Sequence, residues 1–563
     1  MDSISKTPVC VAVIDLDYCQ ESFGVAPCTA TGVNCYNTYR SCKDRGNFNK
    51  GAKQYYFCTH NVGTPLMLGE RPYLLSIDYL PTEIKTSFTV SGRVKVKLLD
   101  EPDTDVGIDP YYTSRTRPIP GSFWKKLLAR NPNYKGRPIS IYEGVLGDEW
   151  TDYQLRFRGL LYNISIGKGQ VTIEATDPLK SLADIYLPSK VEIKLRADIG
   201  SAETELPLIG ASNLSTYTYF RIKDEFVSVN TYSSAQSAAQ VSRGALGTTA
   251  SSHTDNDKLT PVWVYGPDDP FTAMQDLLTI GEIPASSINT TAFSAASTWP
   301  ATDQPVYCII KEPTPVEQLY FELVDLCNCK SWYGEDQRIT IQRQIPNSPG
   351  RTFSTISDAY NIIGGSASID LCSQNHITRC ALYWGQTILG EDEKSTSYNH
   401  LTISIDAGAE SSFDYDEVLE KTIYSRWMSD TATSIEAANE RARSYTGRTV
   451  YTNCDPRPII QLDLDPKDST IITGSYVVID TDEIEDQYGD PVNMRAMVVR
   501  RENKGDRVSL RCQALSDRYI MLMASTTAGD WTAAGETERA DNGYMSDAYG
   551  VMPDGYRPGY HMY

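Results

Sequence analysis

Residues 157–182 read FRGLLYNISIGKGQVTIEATDPLKSL. Apolar and polar residues alternate on both sides of Gly167-Lys168-Gly169, which places every second side chain on one face of an extended strand. This period of two predicts a hairpin turning on residues 167–169. Asp177-Pro178 then opens a short helix through PLKSLAD. Strands that alternate in this way bury one face, so an antiparallel sheet or barrel is expected, its other side wet or covered by a partner.

The same texture extends in both directions. SFTVSGRVKVKLLD (87–100) and RPISIYEGVL (137–146) alternate likewise, with FWKKLLARN (123–131) as a short helix between them, giving a first β domain over 66–189. Residues 190–265 form a small inserted β module built from TELPLIG, YFRIKDEFVSVNTYS, AAQVSRGALGTTASSH and PVWVYG. Over 266–345, FTAMQDLLTIG and a stretch beginning near Pro315 have helical spacing, the second followed by two strands joined through GEDQ, which makes a helix-containing connecting domain. Residues 346–520 return to alternation around one amphipathic helix, SIEAANERARSYTG, with Ile435, Ala438 and Ala442 on one side, and close on a hairpin at Asn503–Gly505. Residues 521–563 lose the alternation and form an acidic, tyrosine-rich C-terminal arm that buries no core by itself. The expected fold class is mainly β with a few short helices, in several domains.

The first 65 residues differ from all of these. Six of the thirteen cysteines lie there, and Cys19, Cys28, Cys35 and Cys42 follow one another with eight, six and six residues between. Loops of that size can fold four sulfurs onto one centre. Disulfides would suit a loop-rich segment poor in apolar residues. Zinc sites commonly use C-x2-C or C-x4-C knuckles, and none occurs among these four. An iron-sulfur cluster also takes four thiolates and tolerates wider spacing. The N-terminus shows no basic region followed by an apolar run of signal-peptide length, so synthesis in a cytoplasm is expected, where thiols stay reduced and a metal or cluster gains over disulfides. Cys10 or Cys58 could replace one of the four. Cys327 and Cys329, with the other later cysteines, read as small core residues.

Net charge is −20. A chain so acidic is repelled by nucleic acid at long range, which argues against stable sequence-specific binding to it. No run of eighteen apolar residues occurs, so no membrane-spanning helix is expected. GxSxG, HExxH, a phosphate loop and GxGxxG after a strand are all missing, and the five histidines are scattered; the protein is expected not to be an enzyme. The acidic runs 100–105 and 480–486 lack the spacing of a calcium loop and read as solvated loops. Arg243 is placed to pair with Asp224 or Glu225, a structural role; acid-base chemistry with His253 is the alternative.

The C-x8-C and C-x6-C steps, with the tail KDRGNFNKGAKQYYF, resemble the cysteine module of phage tail-tip proteins related to lambda tail-tip protein L and of the hub component of gene transfer agents. The strand DEFVSV followed by RGALGTTASSH is similar to a β module inserted in many phage tail proteins; Asp224, Glu225, Arg243, Gly244, Gly247, Thr248 and His253 carry the match, with His253 one residue beyond that spacing. The order of two β domains flanked by smaller units looks like the hub of contractile-tailed phage baseplates. The resemblance implies a [4Fe-4S] cluster on Cys19, Cys28, Cys35 and Cys42, with zinc or no metal as alternatives. It also implies a homotrimeric hub in the virion, at the phage tail tip, between a distal tail protein and a central tip or fibre-bearing protein, with the tape-measure protein in its channel. An adhesin-like receptor-binding protein and a tail-associated cell-wall hydrolase are the alternative functions.

Overall fold

The computed structural model describes residues 8–515, apart from internal stretches of which those longer than two residues are 32–34, 60–68, 85–88, 116–119, 211–213, 299–304, 345–351, 371–375, 412–416 and 504–506. The proposed arm at 521–563 and Cys372 lie outside the described residues. The fold is mainly β with a few short helices, divided among several sheets with separate apolar cores.

Seven strands close into a barrel. They are β1 (Pro8–Cys19), β2 (Lys50–Thr59), β3 (Arg71–Leu80), β4 (Arg93–Leu99), β5 (Pro138–Val145), β6 (Gln154–Gly167) and β7 (Gln170–Thr176), in the order β1-β2-β3-β4-β7-β6-β5. Closure comes from β1 pairing with both β2 and β5. The strand alternation decides what fills the barrel: Val94, Val96 and Leu98 of β4 and Val171, Ile173 and Ala175 of β7 are buried, while Lys95 and Lys97 stay outside. Helix α1 (Phe123–Arg130) adds Phe123 and Trp124 to this core, each such buried side chain stabilising by about 1.5–3 kcal/mol.

The expected hairpin forms with Gly167 opposite Gln170, and Lys168 and Gly169 both take positive φ, as a two-residue turn matched to strand twist requires. Gly159 is needed for a different reason. A Cβ there would lie 2.4 Å from the carbonyl oxygen of Thr176 on the neighbouring strand. Asp177 caps the short helix Pro178–Asp184, one carboxylate oxygen accepting from the N–H of Lys180 and the other from that of Gly92 at 2.7 Å.

Strand pairing groups the residues differently from the units expected from sequence. Residues of the expected 1–65 unit share a barrel with residues of 66–189, because β1 and β2 both belong to it and residues 20–49 connect them. Among the described residues, the strands of 346–520 fall in two sheets. The strands Arg379–Gln386, Tyr398–Ile405 and Glu420–Tyr424 form a three-stranded sheet whose Cys380, Leu382 and Trp384 share a core with the helices Pro270–Ile280, Val316–Leu326 and Ile435–Asn453. The remaining strands of that region build an eight-stranded sheet that takes in Glu83–Ile84 and Thr89–Val90 from the loop between β3 and β4. Apolar faces, not position along the chain, decide these memberships. In the helix Ile435–Asn453, Ala438 and Ala442 are buried as expected but Ile435 is 43 % exposed.

The inserted module is part of a seven-stranded sheet running from Ile193–Leu195 to Val306–Ile310, so it extends past residue 265.

Candidate functional site

Cys19 ends β1 opposite Lys50, the first residue of β2, so residues 20–49 make one excursion that leaves and re-enters the barrel at adjacent strand ends. Cys19 at its start and Cys28, Cys35 and Cys42 within it border a single small cavity, with Phe23, Asn37 and Thr38 among the other lining residues. Cys10 and Cys58 do not border it. Cys58 packs with Val9, Val11, Val13 and Tyr153, and Cys10 lies against the barrel core.

Asn37 organises the loops. Its main-chain oxygen accepts from the N–H of Cys19 at 2.7 Å, while its side-chain amide donates to the carbonyls of Cys19 at 3.0 Å and Glu21 at 3.2 Å. Its φ of 54° lies in the left-handed region, which asparagine tolerates better than most residues. The N–H of Asn37 also points at Cys35 Sγ, 3.2 Å away. Cys28 closes a turn on Val25, Cys42 closes one on Tyr39, and Asp44 accepts from both the N–H and the hydroxyl of Thr29. Burial pushes the Cys35 thiol above its ordinary value; the Asn37 N–H opposes that, and the sulfurs of Cys42, Cys19 and Cys28 add to it.

The loops are tied down by groups that the sequence pattern did not reveal. Arg115 donates to the Cys35 carbonyl at 2.6 Å and forms a two-pronged pair with the buried Asp109 at 2.7 and 3.0 Å. The Tyr36 ring faces two guanidinium groups, Arg115 at 4.3 Å and Arg130 at 4.0 Å from its centroid. Arg130 and Lys126 in turn hold Asp105, whose side chain is fully buried. Asp103 pairs with Arg71 at 3.1 Å, and Asp100 accepts from the Ser122 hydroxyl and the Trp124 N–H at the start of α1. Asp100, Asp103 and Asp105 of the run 100–105 are therefore packed and paired and not solvated, and Asp105 reaches the cysteine loops through Arg130 on the Tyr36 ring; ion pairing satisfies carboxylates that burial would otherwise penalise. The direct tie, Arg115 on the Cys35 carbonyl, left no signal in the sequence pattern, since it joins positions 80 residues apart.

All the described cysteines are free, so no disulfide joins them. Among the described residues no group of three or more His, Cys, Asp or Glu side chains is arranged to hold a metal ion. A single zinc ion needs its thiolates about 2.3 Å from one point. Four thiols bordering one cavity are a donor type that zinc and an iron-sulfur cluster both take.

The second polar cluster lies in the inserted module. Glu225 receives Arg243 through both oxygens, at 2.7 and 2.8 Å, together with the N–H groups of Gly244 and Ser251, each at 3.0 Å, and His253 Nε2 at 2.9 Å. Arg243 also donates to the carbonyls of Gly200 and Glu203, both at 2.8 Å. Burial would raise the Glu225 carboxyl, but Arg243 and these N–H groups outweigh it and pull it down to about 2. Glu225 and not Asp224 is the partner of Arg243. Gly244, at φ 61°, leaves no room for a Cβ, which would meet the Thr248 carbonyl at 2.8 Å.

No family model matches the sequence, and no curated protein matches it. Solved structures do. The chain is similar to a tail protein from Neisseria meningitidis MC58 (TM-score 0.36, 10 % identity, 78 % of this chain and 92 % of that one). It is similar to the 43 kDa tail protein of prophage MuSo2 from Shewanella oneidensis (0.37, 10 %, 78 % and 94 %). Prophage tail protein gp18 from Listeria monocytogenes EGD-e is a third (0.35, 10 %, 78 % and 88 %). Among the described residues no helix is long and apolar enough to cross a membrane.

Proposed function

We propose that the protein is a structural component of a long-tailed phage virion, forming the tail-tip or baseplate hub at the end of the tail tube and holding the DNA-ejection channel. One observation carries the reading: the four cysteines by which the sequence resembles tail-tip hubs, spread over 24 residues, border one cavity on a closed β barrel. The second resembling stretch supports it, because Glu225, Arg243, Gly244 and His253 form one closed network of structural character. In this reading the protein is not an enzyme. It acts as a homotrimer between a distal tail protein and a central tip or fibre-bearing protein, around the tape-measure protein.

Cys19, Cys28, Cys35 and Cys42 would hold a [4Fe-4S] cluster. When bound, it supplies thiolate-iron bonds that act as a local core for loops with few apolar residues. This chain's own residues do the positioning: Asn37 bonds the main chain of Cys19 and Glu21, its N–H reaches the Cys35 sulfur, and Arg115 joins the Cys35 carbonyl to Asp109.

The test is iron and acid-labile sulfide per chain after anaerobic purification, with the visible spectrum, repeated on Cys35→Ser. About four of each, with a broad visible band lost in the variant, is expected of this ligation. Zinc or free thiols alone would remove the cluster from the reading. Immunogold labelling of virions tests the location separately: label at the tail tip is expected, and label elsewhere on the particle would overturn the hub assignment.

A further inference from the structure

A pocket between the helix Ile435–Asn453, the strand Cys329–Tyr333 and the hairpin of strands Met494–Asn503 and Val508–Ala514 is bordered by Lys330, Lys421, Arg448 and Arg457. Among the described residues that line it, Asp325 is the one carboxylate, and it already accepts from the Tyr445 hydroxyl and lies 3.9 Å from Lys421 Nζ. Arg457 donates to Asn453 Oδ1 at 3.0 Å, and Arg448 reaches the carbonyls of Asp325 and Leu326 at 3.4 and 3.5 Å. A guanidinium carries five N–H donors, more than these bonds use. The cations crowd one another: burial, opposed by Asp325 and reinforced by Arg457, Lys421 and Arg448, pulls the Lys330 ammonium down to about 8. In a chain of net charge −20, such a concentration of positive charge calls for an anionic partner.

The chain itself leads to one. Gln513 lines the pocket, and Leu515 packs on the apolar cluster containing Ile84 and Met497, which line the pocket too. The sequence then continues through residues 516–563, where Asp517, Asp530, Glu536, Glu538, Asp541, Asp547 and Asp554 outnumber Arg518, Arg539 and Arg557. Its densest acidic part is DWTAAGETERAD, residues 530–541.

We propose that segment 530–541 docks in this basic pocket of its own chain, its carboxylates pairing with Lys421, Arg448 and Arg457. Residues 516–529 supply the tether. Extended, they span up to about 45 Å, ample for a return to a pocket beside their point of departure. A short tether also raises the effective concentration of the segment to about the millimolar range, so charge-assisted pairs that would be weak between separate molecules suffice. Docking of this kind depends on the pocket and on where the chain leaves it, and stands whether or not the protein is a tail hub.

Zero-length carbodiimide cross-linking of the full chain, read by peptide mass spectrometry, tests it. Lys421 or Lys330 is expected to couple to Asp530, Glu536, Glu538 or Asp541. The surface pair Lys223–Asp257, 2.7 Å apart, serves as the internal control. Arg448→Gln/Arg457→Gln should lower the yield of the segment's cross-link about tenfold and leave the control unchanged; Arg457→Gln alone, a milder change, should lower it about threefold. Without any mutation, about 1 M salt should lower it about threefold, since the screening length is then only about 3 Å. A mixture of isotope-labelled and unlabelled chains separates the sources of the segment: cross-links confined to one isotope support docking within a chain. Mixed-isotope cross-links would assign the pocket to a neighbouring copy and overturn the proposal, as would coupling of Lys421 to Asp325 alone, or a yield indifferent to salt and to both variants.

Discussion

Among the described residues, the cysteine loops and the surroundings of Glu225 each gather reactive side chains, and the two are finished differently. Around Glu225 both carboxylate oxygens are met by Arg243, by two main-chain N–H groups and by His253, so the charge is satisfied from within the chain. Around the cysteine cavity the loops are just as firmly tied, but through main-chain carbonyls and Arg115, while the four thiols face a common space. A closed polar knot explains its own presence, because an unmet buried charge is costly and a met one holds strands together. Four thiols bordering one cavity make no such closed knot, and the proposed cluster rests on that contrast. The same acidic-plus-histidine chemistry that tempts a catalytic reading at Glu225 is spent on structure, and the cysteines carry the functional reading.

The comparison can be broken first at Arg243. Arg243→Ala leaves Glu225 buried without its two-pronged partner and is expected to destabilise the inserted module by about 3–5 kcal/mol, measured by urea unfolding; an effect below about 1 kcal/mol would show the knot to be dispensable. Acid gives the next effect. Because the folded Glu225 carboxyl titrates near 2, below its ordinary 4.5, the stability it contributes is present above about 4.5 and is lost as pH falls from there toward 2. The full contribution is about 3 kcal/mol. Glu225→Gln should therefore flatten the acid limb of a stability-versus-pH curve.

Arg115→Gln sharpens the other side. It removes the pair to buried Asp109 and the bond to the Cys35 carbonyl, and should cost residues 20–49 about 2 kcal/mol of protection in hydrogen exchange, with the module around Glu225 unmoved. If protection around Glu225 fell as well, the two regions would not be separate. The smallest effect is expected at Lys223→Ala, since its pair with Asp257 leaves the lysine side chain 58 % exposed; the loss should stay below about 1 kcal/mol and shrink with salt.

Much of this was legible in local pattern. The turn at Lys168-Gly169, the cap at Asp177, the helices beginning at Pro270, Val316 and Ile435, and the four clustered cysteines all follow from spacing within a few residues. What escaped depends on distance. Asn37 looks like any loop asparagine until its amide is seen bridging Cys19 and Glu21, and Asp109 and Arg115 sit in a stretch with no cysteine near it. Burial of Asp105 was missed for the same reason, because an acidic run reads as solvated unless its cations, Lys126 and Arg130, are known to fold back over it.

By itself the sequence determined the β character of the chain, most of its helices and the four thiols, because period, turn chemistry and residue type act over neighbouring positions. Tertiary structure decided that β1 and β2 close a barrel with β5, that the three-stranded sheet joins the helical core, that Glu225 and not Asp224 takes Arg243, and that the four sulfurs border one cavity. These outcomes turn on which apolar faces and charges meet across tens of residues. Burial, which sets the energy of each such meeting, exists only once the chain has folded.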